Sequence, residues 1–232
     1  MRYGWYGLAP IAGAFVLSLV ACSSYVTTVQ PVEDEILVKL VADPLAAYDH
    51  PVRVTVQDLT AILQHVRVEY KAGWLQNVLT GPLKSVPLFD PQALARVVPP
   101  LVRAFEEANP HDRIVFYIAD RRTNIRREVT SGTLFVTGQL MHISLSNFRN
   151  GVDVIPGVPT YDRDSPEIAV APQRFSVMFD PPEFVFDRKP GLVQEVFGAV
   201  PPSVLVDYRL FLNSAIRHAD LGSSPAEAIP SP

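Results

Sequence analysis

A single cysteine, Cys22, stands among 232 residues, so no internal disulfide staples the fold. No basic stripe is present either. Twenty Lys and Arg face 24 Asp and Glu for a net charge of −4, and that mild acidity argues against non-specific nucleic-acid binding. The five histidines, at positions 50, 65, 111, 142 and 218, show no HExxH spacing, and with no cysteine pair beside them they make no metal motif. G-x-S-x-G and S-x-x-K nucleophile signatures are also missing, and no motif implies a cofactor. There is no internal repeat and no low-complexity block. Long apolar runs are absent except for one, at the very start.

What the chain does have is enough apolar residue, 48%, to build a core, with 19% charged residues, a globular composition. Its 22 prolines exceed the usual share of about 5%. They favour short elements and irregular connections over a helical bundle.

The one apolar run decides the address. Arg2 supplies a short positive region, and Gly4–Val20 carries no charge, as in the core of a signal peptide. An uncleaved membrane anchor is the alternative, since roughly 20 apolar residues span a bilayer. Leu19-Val20-Ala21-Cys22 separates the two, because it resembles the lipobox of bacterial lipoproteins. That resemblance covers residues 1–23 only. It implies removal of residues 1–21, a diacylglyceryl group on the Cys22 thiol, and an acylated new amino terminus. Two or three acyl chains on one residue hold a protein to a membrane effectively permanently. Ser23, in place of Asp, implies sorting to the outer membrane of a Gram-negative host, with the domain in the periplasm. Arg2 is the only charge in the first 21 residues, so the mature chain carries 19 basic and 24 acidic residues.

After Cys22, residues 22–50 are expected to form a tether, 51–218 a single globular domain and 219–232 a disordered tail. Ile36–Ala42 is apolar without a period that chooses between helix and strand. Thr55 and Asp58 have the spacing of a capping box for a helix reaching about Gln64, and Val66, Val68 and Tyr70 alternate as in a half-buried strand. Asp90-Pro91 opens a helix that Pro99-Pro100 should break or kink and Asn109-Pro110 should stop. Arg113–Ala119, Ile125–Thr130, Thr133–Thr137 and Leu140–Ser146 read as strands of an antiparallel meander, with joints at Asp120–Asn124, Ser131-Gly132 and Gly138-Gln139. A long surface loop is expected over 147–173. Phe175–Phe179 and Phe184–Phe186 read as a strand pair joined across Pro181-Pro182. A closing helix is expected over Ser203–His218, capped by Ser203, with Leu205, Tyr208, Leu212, Ala215 and Ile216 on one face. The fold class is therefore α+β, helices on one face of an antiparallel sheet.

Candidate site residues are few. Arg113, Arg121, Arg122, Arg126 and Arg127 crowd one turn, answered by Asp112, Asp120 and Glu128, which leaves 112–128 at net +2. Arg121, Arg122, Arg126 and Arg127 are the candidates to contact lipid phosphates, lipopolysaccharide or an acidic partner, because guanidinium binds such groups bidentately. A solvated hairpin tip with internal ion pairs is the plainer reading. His142 alternates with Met141 and Ile143 on a strand, and Ser131 and Ser144 sit on strands without an evident base. Asp153, Asp162, Asp164 and Glu167 share a loop where solvated acids normally collect. Phe175, Val177, Phe179, Phe184 and Phe186 are core, or a docking patch if left open. The leading expectation is a non-enzymatic envelope adaptor that binds a protein partner or envelope polymer. A carrier of lipid or another apolar ligand is the second, and an anchored hydrolase the third.

Overall fold

The structure is a computed structural model that describes residues 26–32, 35–71, 85–153, 161–186 and 201–214. The stretch expected to be a signal peptide, Cys22 and the expected tail over 219–232 lie outside the described residues. The fold is α+β, as its pattern predicts, and every strand pairing in it is antiparallel.

A six-stranded sheet runs in the order β1 (Val26–Val32), β2 (Ile36–Ala42), β5 (Asp112–Thr123), β6 (Arg126–Thr137), β7 (Leu140–Asp153) and β9 (Ser203–Asp207). A three-stranded sheet is formed by β4 (Val86–Pro87), β3 (Val66–Tyr70) and β8 (Phe175–Phe179). Helices α1 (Val56–Gln64) and α2 (Pro91–Glu107) join that small sheet in covering one face of the large one. Strand alternation divides the large sheet's side chains. Ile36, Val38, Leu40, Ile114, Phe116, Ile118, Leu134, Val136, Met141, Ile143, Leu145, Val204 and Val206 enter the main core.

The α1 cap is as expected: Asp58 N–H donates to the Thr55 hydroxyl, and the Asp58 carboxylate accepts from the Thr55 backbone. Asp90 caps α2 through the Ala93 N–H at 2.8 Å.

Several boundaries differ from the sequence expectation. The segment 22–50, expected as a tether, contains two strands of the sheet. Its Ile36–Ala42 stretch is a strand inside the sheet, and 26–32 is the strand beside it. Residues 36–40 are buried on both faces, which is why they read as an unbroken apolar run rather than an alternation. Pro99-Pro100 does not break α2. The two prolines remove the donors that would reach the carbonyls of Ala95 and Arg96, and both of those residues lie on the solvent side, where water can bond them. Ser131-Gly132 is no turn but an interior kink of β6, with register shifts on either side of Ser131. Strand β7 continues seven residues past Ser146, well into the expected loop.

Phe184–Phe186 does not pair with β8. Pro182–Phe184 form a 3₁₀ turn, Val185 bridges Val206, and the Phe186 N–H donates to the Leu205 carbonyl, extending the large sheet past β9. Finally, Ser203–Asp207 is strand, not helix. Val204 and Val206 face the core with Leu205 opposite, and the helical residues 208–214 follow, capped by Asp207 accepting from Leu210 N–H at 2.9 Å. Residues 215–218 of the expected helix lie outside the described residues.

His50 is packed beside the core, 4% exposed, with its ring 5.7 Å from Phe105 and 6.0 Å from Tyr48. Neither ring nitrogen has a hydrogen-bond partner. Burial holds its pKa below the ordinary value, although Asp112 and Asp49 pull the other way. The unfolded chain therefore takes up a proton more readily than the folded one. The stability tied to a neutral His50 is complete above about pH 6.5 and is lost as pH falls from there toward the lowered folded value. Melting temperature should consequently fall between pH 7.5 and 5.5, and His50→Leu should fall less. Equal pH slopes in the two proteins would contradict this.

Candidate ligand groove

The second face of the large sheet is finished in two different ways. Toward the β5–β6 turn it carries Leu37, Tyr117, Ala119 and Val129 in a small apolar cluster, and beside them Lys39, Ser131 and Asn147, all buried. The segment 164–173, where a free surface loop was expected, is latched over this half. Lys39 Nζ donates to the Asp164 carbonyl at 2.8 Å and lies 3.6 Å from Glu167 Oε2. The Ser131 hydroxyl donates to the Pro166 carbonyl, Ser146 to the Glu167 carbonyl, and Asn147 to the Ile168 carbonyl. The Gln173 amide grips the Phe148 backbone in both directions. Glu167 and Asp164, two of the candidate acids, thus belong to a structural strap. Asp153 ends β7, exposed and opposite Arg126, and the side chain of Asp162 is outside the described residues.

The other half of that face opens into a groove of about 1340 Å³, whose lining also reaches Val177, Phe179 and Val204 on the core side. Its floor follows from strand register. Val41 opposes Arg113, Phe135 opposes His142, and His142 opposes Leu205. Arg113 is one step beyond the Ile114–Leu134 pair, which sets it next to Phe135, while Phe186 continues the row past Leu205. The row Arg113–Phe135–His142–Leu205–Phe186 therefore runs across the strands, charged at one end and apolar at the other. At about 4.8 Å per strand it spans roughly 19 Å. Thr133, Thr137, Ser144 and Ser203 flank it on the same face, and Met178, Pro182 and Val185 complete the apolar wall.

The polar groups of the floor are positioned by one another. Phe135 stacks on His142 at 4.3 Å, and the Thr137 hydroxyl meets His142 Nε2 at 2.7 Å. Thr133 and Ser144 hydroxyls are 2.5 Å apart. Tyr48 lies against Phe135 at 4.5 Å and donates to Asp43 at 2.9 Å. Burial, with that hydrogen bond, pushes its hydroxyl up to about 12. Asp43 in turn pairs with Arg113 at 3.3 Å. Arg113 and Glu167 both line the groove, and Arg113 Nε and Glu167 Oε2 are buried atoms with charge partners but no hydrogen bond.

The arginine turn is elsewhere. Arg121, Arg122 and Arg126 are exposed and Arg127 is half-buried at the tip of the β5–β6 hairpin, at the far end of the strands from the groove. Arg122 Nη2 donates to Glu128 at 2.7 Å, and the Arg126 guanidinium lies across Gly151. The tip is thus partly the internally paired hairpin that charge counting suggests. The Ser131 and Ser144 hydroxyls bond Pro166 and Thr133, so neither is directed at a histidine. Of the apolar ladder, Phe175, Val177 and Phe179 are buried, whereas Phe186 is 54% exposed on the groove. Sequence reading missed the groove as a unit. Its only signal was the alternation of Thr133, Phe135 and Thr137 and of His142, Ser144 and Ser146 opposite core residues, too polar for a second core and too aromatic for a plain solvated face.

No family model matches the chain, and neither curated proteins nor solved structures include one similar to it.

Proposed function

We propose that this chain is a lipid-anchored protein of the bacterial envelope whose domain binds the acyl part of a lipid in the groove. The anchor rests on the lipobox-like Leu19–Cys22 and the charged-then-apolar start, with the outer membrane as destination and the periplasm as the domain's compartment. The groove carries the rest of the reading: a row with Arg113 at one end and Phe186 at the other, in which Phe135, Leu205 and Phe186 are apolar and His142 the one polar member between them, as long as an extended acyl chain requires. Binding sites of this kind combine a mainly apolar lining with a few orienting polar groups. Between the adaptor, carrier and hydrolase expectations, the groove favours the carrier. The adaptor reading leaned on the arginine hairpin, and a hydrolase needs a base directed at a nucleophile.

Each methylene removed from water contributes about 0.8 kcal/mol, and tenfold in affinity is about 1.4 kcal/mol. Excluding even a few methylenes from the groove is therefore measurable. The mature chain with Cys22→Ser, exported behind a cleavable signal, should bind a fluorescent fatty-acid probe. Phe186→Glu and Ser144→Trp, the first charging the apolar end and the second filling the floor, should each weaken binding by at least about tenfold with unchanged circular dichroism. A wild-type domain that ignores the probe, or variants that bind it equally well, would refute the reading.

A further inference from the structure

The groove and the anchor share one end of the molecule. Strand β1 begins at Val26, whose partner is Val41, whose partner is Arg113, the first member of the groove row. Three residues separate Cys22 from Val26, four chain steps with a reach of at most roughly 14 Å. At the same end, the loop that follows β2 presents Leu45, which is fully exposed. That loop is fixed from behind: Ala46 N–H donates to the Asp43 carbonyl, Tyr48 N–H to the Pro110 carbonyl, and His111 Nδ1 meets the Ala46 carbonyl. A fully exposed leucine on a braced loop is able to enter the boundary between water and acyl chains. The Phe135–His142 pair lies two residues from the last β6–β7 pair, Thr137–Leu140, or about 7 Å from this end of the sheet. Arg121 is eight residues along β5 from Arg113, about 26 Å toward the opposite end.

We propose that the Val26–Leu45 end rests on the bilayer holding the Cys22 acyl chains, and that the groove takes a glycerophospholipid from that same membrane. The acyl chain lies along Phe135, His142, Leu205 and Phe186, and the phosphate meets the guanidinium of Arg113, a third of whose side chain is exposed and which shares that end with the carboxylates of Asp43 and Glu167. The arginine hairpin then faces away from this membrane. This inference rests on the groove and anchor readings above.

The test uses the full mature chain, with and without the lipid on Cys22, and vesicles of phosphatidylethanolamine and phosphatidylglycerol. The vesicles carry a phospholipid with a self-quenched fluorescent tail, and loading is read as dequenching. A short-chain phosphatidylglycerol in free solution reports on the groove alone. The lipidated protein should load at least tenfold faster than the unlipidated one at equal concentration. Leu45→Glu should slow loading severalfold and leave short-chain binding unchanged. Arg113→Gln should weaken the short-chain phospholipid severalfold and a short-chain diacylglycerol hardly at all, with Arg113→Lys restoring part of the loss. Normal short-chain binding with loading indifferent to lipidation and to Leu45→Glu would overturn the shared-end arrangement and leave the groove reading standing. Equal losses of both ligands in Arg113→Gln would overturn the phosphate assignment. Failure of every form to bind either ligand would sink the groove reading itself.

Discussion

Gly132→Ala should destabilise the domain by on the order of 3 kcal/mol, the upper part of the range for overpacking. A β-carbon built at Gly132 falls 2.1 Å from the Ser144 backbone oxygen and 3.1 Å from both Leu145 Cδ2 and Phe116 Cε1. The side chains can yield by a few tenths of an ångström. The carbonyl cannot, because it belongs to β7 and its strand is held by β6 on one side and β9 on the other. The strands must part where Gly132 opposes Leu145 and Phe116, in the middle of the sheet. Gly132 has no positive φ, so at a roomier position alanine would stabilise by reducing the freedom of the unfolded chain. Here steric overlap outweighs that gain. A fall in melting temperature of roughly 6–12 °C corresponds to this energy for a domain of this size. A variant melting within a degree or two of the parent would show that the strands are not that close.

Asn147→Ala should cost a comparable amount, about 3 kcal/mol, for an electrostatic reason. Asn147 is fully buried and uses its whole hydrogen-bonding capacity. Its amide nitrogen donates to Ser131 Oγ and to the Ile168 carbonyl, both at 2.9 Å. Its oxygen accepts from Val170 N–H at 2.8 Å and from Asn150 at 3.2 Å. Truncation leaves several buried groups without partners, each worth roughly 1–3 kcal/mol if nothing replaces the bond. Relaxation of the strap recovers part of it. The loss should therefore be local: amide exchange at Val170 should accelerate far more than exchange in β5 or α2. Asn147→Asp should be no milder, since a carboxylate cannot donate to the Ile168 carbonyl and its charge is buried. Uniform acceleration across the domain would show that the strap is not a separate unit.

These two positions also mark what the sequence disclosed and what it did not. Local chemistry was legible: the Thr55–Asp58 box, the Asp90-Pro91 start and the β5–β6–β7 meander follow from groups close in the chain. Readings failed where a distant partner decides. Gly132 looks like a turn residue until β7 is known to lie against it. Ile36–Ala42 looks indifferent between helix and strand because both of its faces are covered, one by α2 and one by a strap more than a hundred residues away. Ser203–Asp207 carries three apolar residues at a spacing a helix tolerates, and only β7 beside it makes strand the answer. The groove was hidden for a similar reason. Arg113, His142, Leu205 and Phe186 come from four separate stretches, and nothing in any one of them announces the row.

The outermost strand of the large sheet is β1, with Pro31 in it and a register shift between Thr28 and Gln30. A proline offers no N–H to a newcomer, and an irregular edge presents donors and acceptors out of step with a straight strand. Proteins tethered to one surface meet one another far more often than they would in bulk solvent, always with the same side up. On the proposed anchor, strand-by-strand polymerisation through β1 is discouraged where that crowding would otherwise promote it.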